Sequence, residues 1–132
     1  MQHRIVVIDD DPDSCETLRE LLGFDEHAVW TAHTGRAGLL AAREHRASVV
    51  VCDIQLPDIS GLEVPRHLAA TLPLAPLCIA LSGFTDKAAQ AASLAAGYAV
   101  HLTKPLDFAA LRQLLARELG QAARLPAAEL ST

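Results

Sequence analysis

A chain of 132 residues, 51% apolar and 20% charged, suits one globular domain with a proper core. Its net charge of −5, without any run of Lys or Arg, argues against nucleic-acid binding by this segment. The first apolar run, Ile5 to Ile8, is too short for a signal peptide or a membrane span. The five aromatic residues (Trp30, Tyr98, Phe24, Phe84 and Phe108) leave a core built from aliphatic side chains and alanine. Cys15, Cys52 and Cys78 form no CxxC pair and sit in apolar surroundings, so they are expected to be reduced, buried hydrophobes of a cytoplasmic protein.

The predicted elements alternate. Arg4–Ile8 is an apolar strand closed by Asp9 to Pro12, where Asp11 fits a helix N-cap and Pro12 the first helical position. Cys15, Leu18 and Leu22 continue at helical spacing, and Gly23 is the expected stop. His27–Ala32 alternates loosely as a second strand. Thr34 then caps a helix expected to bury Ala37, Leu40 and Ala41. Ser48–Cys52 is the strongest strand and runs straight into Asp53. Pro57, Asp58, Ser60 and Gly61 mark a loop, after which Val64, Leu68 and Leu72 share a helical stripe; Pro65 fits only in the first turn or at a kink. Leu77–Leu81 is a strand, Ser82–Gly83 a loop, and Asp86–Ala96 an alanine-rich helix that Gly97 ends. Ala99–Leu102 is the last strand, followed by Thr103 to Pro105. Asp107 caps a final helix bearing Phe108, Leu111, Leu115 and Leu119, which stops at Gly120. Residues 1–120 form the expected domain, and 121–132 read as a tail or linker.

Strands that are apolar on both sides, alternating with helices, predict a doubly wound parallel sheet with helices on both faces. Right-handed crossovers bring all strand C-termini to one edge, where such sheets bind ligands. That edge would carry Asp9 and Asp10 from the first strand, Asp53 from the third, Ser82 from the fourth and Lys104 from the fifth. Asp11 and Asp107 are read as caps, and Asp13 and Asp58 as solvated charges. Asp9, Asp10 and Asp53 lack such an explanation. Two unit charges at about 4 Å repel by roughly 4 kcal/mol at an effective dielectric near 20, so the cluster calls for a cation. An all-oxygen set favours Mg²⁺, with Mn²⁺ possible, over zinc. The six histidines show no ligand spacing with one another. A carboxylate can attack phosphorus, and a divalent metal with an ammonium can neutralise the transferring phosphoryl oxygens. Asp53 is the expected nucleophile, Asp9 and Asp10 the metal holders, Lys104 the compact positive charge and Ser82 a hydrogen-bond donor to the phosphoryl group.

The segments VVIDDDP (Val6–Pro12), VVVCDIQLPDISGLE (Val49–Glu63), ALSG (Ala80–Gly83) and TKP (Thr103–Pro105) resemble the receiver domain of bacterial response regulators, the family of the chemotaxis regulator. The resemblance covers residues 4 to about 120. It implies a flavodoxin-like five-stranded sheet of order 2-1-3-4-5 and phosphorylation on Asp53. It also implies Mg²⁺ held by Asp10, Asp53 and the Gln55 carbonyl, with Asp9 acting mainly through water, and a cis Lys104–Pro105 bond. The implied donor is a histidine kinase or phosphotransfer protein, and the implied output is a change in binding to a downstream protein. Ser82 stands where Thr is commoner, and His101 where the family's switch residue is usually Tyr or Phe. The wording SGF and HLTKP is similar to receivers at the end of hybrid histidine kinases.

An Asp-nucleophile phosphatase resembles an Asp-x-Asp pattern, but the second acidic position here is Gln55, which favours a switch over a turnover enzyme. A degenerate receiver serving only as an interaction module would be expected to lack the acid pair, the acceptor or the lysine, and all are present. The alanine-rich fourth helix, with Asp86 and Lys87 near its start, offers few charges for an ion-pair dimer, so a monomer or weak dimer is expected. Gln55 and Phe84, by resemblance, line the rim that governs how long the phosphoryl group lasts.

Overall fold

Five parallel strands in the order β2-β1-β3-β4-β5 form one sheet, with helices on both faces. The computed structural model describes residues 3–83 and 86–118. In chain order these give β1 (Arg4–Ile8), α1 (Pro12–Phe24), β2 (Ala28–Ala32), α2 (Gly35–Glu44) and β3 (Val49–Asp53). A short 3₁₀ turn (Gly61–Glu63) leads into α3 (Val64–Thr71), followed by β4 (Leu77–Ser82), α4 (Lys87–Ala96) and β5 (Val100–Thr103). Helix α5 covers residues 108–118. The expected ending of that helix at Leu119–Gly120 and the expected tail 121–132 lie outside the described residues.

Alternation along the strands divides the core in two. Ile5, Val7, Val49, Val51, Ile79 and Leu81 face α1 and α5, where they meet Cys15, Leu18, Leu22, Leu111, Leu114 and Leu115. Val6, Ile8, Val50, Cys52 and Ala80 face the other way, toward Ala42 of α2, Val64 and Leu68 of α3, and Tyr98. All three cysteines are free and buried, as expected. Arg112 of α5 forks onto Asp25 at the end of α1 at 2.8 and 2.9 Å. Pro65 occupies the first turn of α3, where its missing N–H costs nothing.

Asp11, Thr34 and Asp107 cap their helices as read from sequence, and Asp86, expected as the first residue of α4, caps it instead. Asp11 accepts from the Asp13 amide at 3.1 Å, Thr34 from Ala37 at 3.1 Å, Asp86 from Ala89 at 2.7 Å and Asp107 from Ala109 at 3.0 Å. Gly97 ends α4 in the left-handed region at φ 113°.

Three expectations are corrected. The first helix runs through Gly23 to Phe24, and the left-handed residue that turns the chain is Glu26 at φ 67°. The core face of α2 is Gly35, Gly38 and Ala42, with Leu39 and Ala41 half-buried, while Leu40 is exposed. Space explains it: a Cβ on Gly38 would stand 2.3 Å from Ile8 Cδ1, so α2 lies directly on β1 at Gly38, and a Cβ on Gly35 would stand 2.4 Å from Ile59 Cγ1. Asp58 is not a merely solvated charge, because its carboxylate takes the α2 amides of Gly35 and Arg36 at 2.8 and 2.9 Å.

Candidate functional site

The strand order reverses between β1 and β3, and that switch point opens the crevice where ligands bind in sheets of this kind. Both strands end there in carboxylates. β1 is fully buried after Arg4 and β3 throughout, so Asp9 and Asp53 are delivered by rigid central strands. Asp9 is 1% exposed and Asp53 6%. Asp10 lies on the solvent side of the pair, and no hydrogen bond or ion pair holds its carboxylate among the described residues. One oxygen from each of Asp9, Asp10 and Asp53 lies within 4.8 Å of the other two.

The remaining lone pairs are accounted for locally. Asp9 Oδ1 accepts from the Asp11 amide at 3.0 Å, and Asp53 Oδ1 from the Gln55 amide at 2.9 Å. Their second oxygens both face Lys104, whose Nζ stands 3.1 Å from Asp9 and 2.9 Å from Asp53. Burial alone would lower the pKa of this ammonium. The hydrogen bonds it donates to Asp53 and Asp9 outweigh that cost, and the net shift is upward. Lys104 is therefore a permanent cation between two buried carboxylates. Its amide donates to the Ser82 carbonyl at 2.8 Å, and the Lys104–Pro105 peptide is cis. Ser82 is buried beside Thr103 in the β4–β5 register.

Among the described residues, every site residue named from the sequence except His101 sits at this edge. His101 lies one position before Leu102 on β5, half-buried, with Nδ1 2.8 Å from the hydroxyl of Ser93, the buried residue of α4. Phe84 lies outside the described residues. Asp58 and Tyr98 are not among the site residues named from the sequence. Asp58 fastens the β3–α3 loop to α2, and the Tyr98 hydroxyl donates to the Gly61 carbonyl at 2.7 Å. Neither carries a sequence signal, since each bond joins residues distant along the chain.

The donor set suits a small hard cation. It is all oxygen, clustered, doubly buried and open on the Asp10 side, whereas a soft or borderline metal would call for sulfur or imidazole. The burial of Cys52 pushes its thiol up to about 12, so the sulfur next to Asp53 in sequence is held as a protonated thiol.

Comparison with known proteins gives the family to which this fold and edge belong. Residues 5–116 match the model of the response regulator receiver domain. The transcriptional regulatory protein KdpE of Mycobacterium tuberculosis is 42% identical over 101 residues, covering 76% of this chain and 44% of that protein. The transcriptional regulatory protein ZraR of Salmonella typhimurium is 31% identical over 128 residues, covering 94% of this chain and 29% of that protein. The solved BeF3-activated DrrB receiver domain superposes with a TM-score of 0.81 at 31% identity, covering 91% of this chain and 99% of that one. The chain belongs to the response regulator receiver family, and it spans less than half the length of these two curated relatives.

Proposed function

We propose that the protein is a phosphorylation-dependent switch in which Asp53 accepts a phosphoryl group from a histidine kinase or phosphotransfer protein. The observation that carries this reading is Lys104 Nζ seated between Asp53 and Asp9, with Asp10 open beside them. An Asp53 carboxylate oxygen attacks phosphorus as the bond from phosphorus to the donor's imidazole nitrogen breaks; the imidazole keeps the bonding pair and takes a proton. Lys104 stays close enough to follow charge from the carboxylate to the phosphoryl oxygens. Ser82, at the end of β4, supplies a hydroxyl to one of those oxygens. Asp9, Asp10, Asp53 and the Gln55 carbonyl would hold Mg²⁺, which when bound neutralises the carboxylates and the transferring oxygens.

Asp9, the more deeply buried of the two carboxylates that Lys104 bridges, would contact the cation mainly through water. The product is an aspartyl phosphate that changes binding to a downstream protein, with His101 and Ser82 as the moving side chains and the protein as a monomer or weak dimer. Three free buried thiols, and described helices none of which is long and apolar enough to cross a membrane, fit a cytoplasmic setting.

The test is mass spectrometry after incubation with Mg²⁺ and acetyl phosphate. One phosphoryl group is expected on wild type and on Asp58→Asn, and none on Asp53→Asn. Equal labelling of Asp53→Asn would remove Asp53 from the acceptor role.

A further inference from the structure

The loop that follows the acceptor strand returns to it at Gly61. A Cβ there would stand 2.5 Å from the Asp53 carbonyl oxygen and 2.6 Å from Ile54 Cα, so Gly61 lies flat against the Asp53–Ile54 peptide. The Gly61 amide donates to the Ile54 carbonyl at 2.9 Å. One residue on, the Gln55 amide donates to Asp53 Oδ1, also at 2.9 Å. The loop is therefore a short hydrogen-bonded bracket around the acceptor carboxylate. Its far side is tied to α2 through Asp58.

The Gly61 carbonyl is held from elsewhere. Tyr98, 37 residues later, donates its hydroxyl to that oxygen at 2.7 Å. Tyr98 is buried in the core on the α2–α3 face, beside Cys52 and Cys78. Burial, with those thiols next to it, pushes the phenol far above its usual range, so it remains a donor. Its backbone belongs to another region, the turn between α4 and β5. The Tyr98 amide donates to the Ser93 carbonyl at 3.1 Å, and the next amide, Ala99, to Cys78 at 2.9 Å. Ser93 in turn meets His101 of β5. A phenylalanine would fill the same space and lose the bond to Gly61 together with the hydroxyl's contact with the Cys52 thiol.

We propose that Tyr98 is a positioning residue for the acceptor loop, its hydroxyl fixing the Ile54–Gln55 peptide through Gly61 and coupling it to the α4–β5 junction. This rests on the reading of Asp53 as acceptor with Mg²⁺ beside it. The path runs Tyr98 hydroxyl, Gly61 carbonyl, Gly61 amide, Ile54 carbonyl and then the Gln55 peptide, an unbroken series of contacts of the sort that carries coupling between sites. By reciprocity, whatever alters the loop at Asp53 bears on the turn after α4, and a partner gripping that turn bears on Asp53.

Tyr98→Phe removes one oxygen and keeps the ring. In metal-free protein, hydrogen exchange at the Gly61 and Gln55 amides should quicken about five- to tenfold, the equivalent of one net hydrogen bond. Half-saturating Mg²⁺, read from the thermal midpoint, should rise about three- to tenfold. The comparison variant Asp107→Ala removes the cap of α5, which packs on the face of the sheet opposite Tyr98, and should change neither quantity. If wild type responds to Mg²⁺ and Tyr98→Phe matches it in both measurements, the inference falls and the acceptor reading stands. Equal changes in Asp107→Ala would reduce Tyr98 to general stability and overturn it as well. A wild type that neither responds to Mg²⁺ nor binds beryllium fluoride overturns both.

Discussion

The two halves of the sheet are built to different standards. β1 and β3 occupy the centre, and after Arg4 every residue in them is buried. Their carboxylates are pinned by main-chain amides two residues on. β5 is an edge strand on which every residue is half-exposed, and the only buried residue of the neighbouring α4 is Ser93. That helix meets β5 through a hydroxyl–imidazole contact, where α1, α3 and α5 meet the sheet through leucine. Apolar packing fixes position because any displacement opens a void, whereas a few polar bonds can be exchanged for others at little net cost. One half of the domain thus fixes the acids, and the other is free to settle differently around them. Lys104 joins the two: its backbone follows β5, and its ammonium rests on Asp9 and Asp53. On the proposed function, a phosphoryl group on Asp53 changes the partners of that ammonium first, and the looser half answers.

The largest effect should come from breaking the packed half. Leu68 of α3 is fully buried against the β1–β3 face. Leu68→Ala should cost about 2–5 kcal/mol by lost transfer energy plus the cavity left behind. Leu94, on the looser half, is 53% exposed. Leu94→Ala should stay within about 0.5 kcal/mol of wild type. Urea denaturation of both variants measures the contrast, and similar losses would show that α4 is packed as firmly as α3.

A smaller effect should come from the acids. Asp9, Asp10 and Asp53 repel, and Lys104 pairs with only two of them. Mg²⁺ at ten times its dissociation constant should stabilise wild type by about 1.4 kcal/mol, because it binds the native state alone. Asp10→Ala should abolish that response and raise the thermal midpoint of the metal-free protein. A retained Mg²⁺ response in Asp10→Ala would take that carboxylate out of the cation site.

The sequence shows the central strands and the site at their ends because both are written locally. Apolar runs end at Asp9 and Asp53, and caps such as Asp11 and Asp107 announce helix starts by residue type alone. What it does not show depends on how elements meet. The face of α2 is decided by Ile8 needing the space over Gly38, and no periodicity in the helix states that. Asp58 looks like a solvated loop acid until α2 brings two amides to it. Tyr98 reads as one more core aromatic, and its bond to Gly61 exists only once β5 and the β3–α3 loop lie together. Hydrogen bonds between residues distant in sequence leave no pattern within either segment.

The smallest effect should arise at the opposite end of the sheet, where a pair of imidazoles offers a check on these assignments. His3 and His27 precede the first two strands, with ring centroids 5.6 Å apart. The His3 amide donates to His27 Nδ1 at 3.2 Å, and the Ala28 amide to the His3 carbonyl at 2.9 Å. Partial burial lowers both pKa values below 6.5, and the His3 charge adds to the effect on His27, against a raising influence from Asp25. Above pH 6.5 folded and unfolded chains are both neutral at these rings, and they contribute no pH dependence. As pH falls through 6.5 the unfolded chain takes up protons that the folded one resists, so stability declines, and the decline levels off below the folded-state pKa. Asp11 and Asp58 titrate outside this window, since their lowered pKa values place their loss of stability below pH 3.8. The urea midpoint should therefore drop between pH 7 and pH 5 in wild type and drop less in His27→Gln, which keeps a side-chain oxygen to accept from the His3 amide. Because the pair lies across the sheet from Asp53, half-saturating Mg²⁺ at pH 7 should be the same in both proteins. An undiminished slope in His27→Gln would assign the pH dependence to other groups, and a shifted Mg²⁺ response would mean that the two edges of the sheet are less independent than their packing indicates.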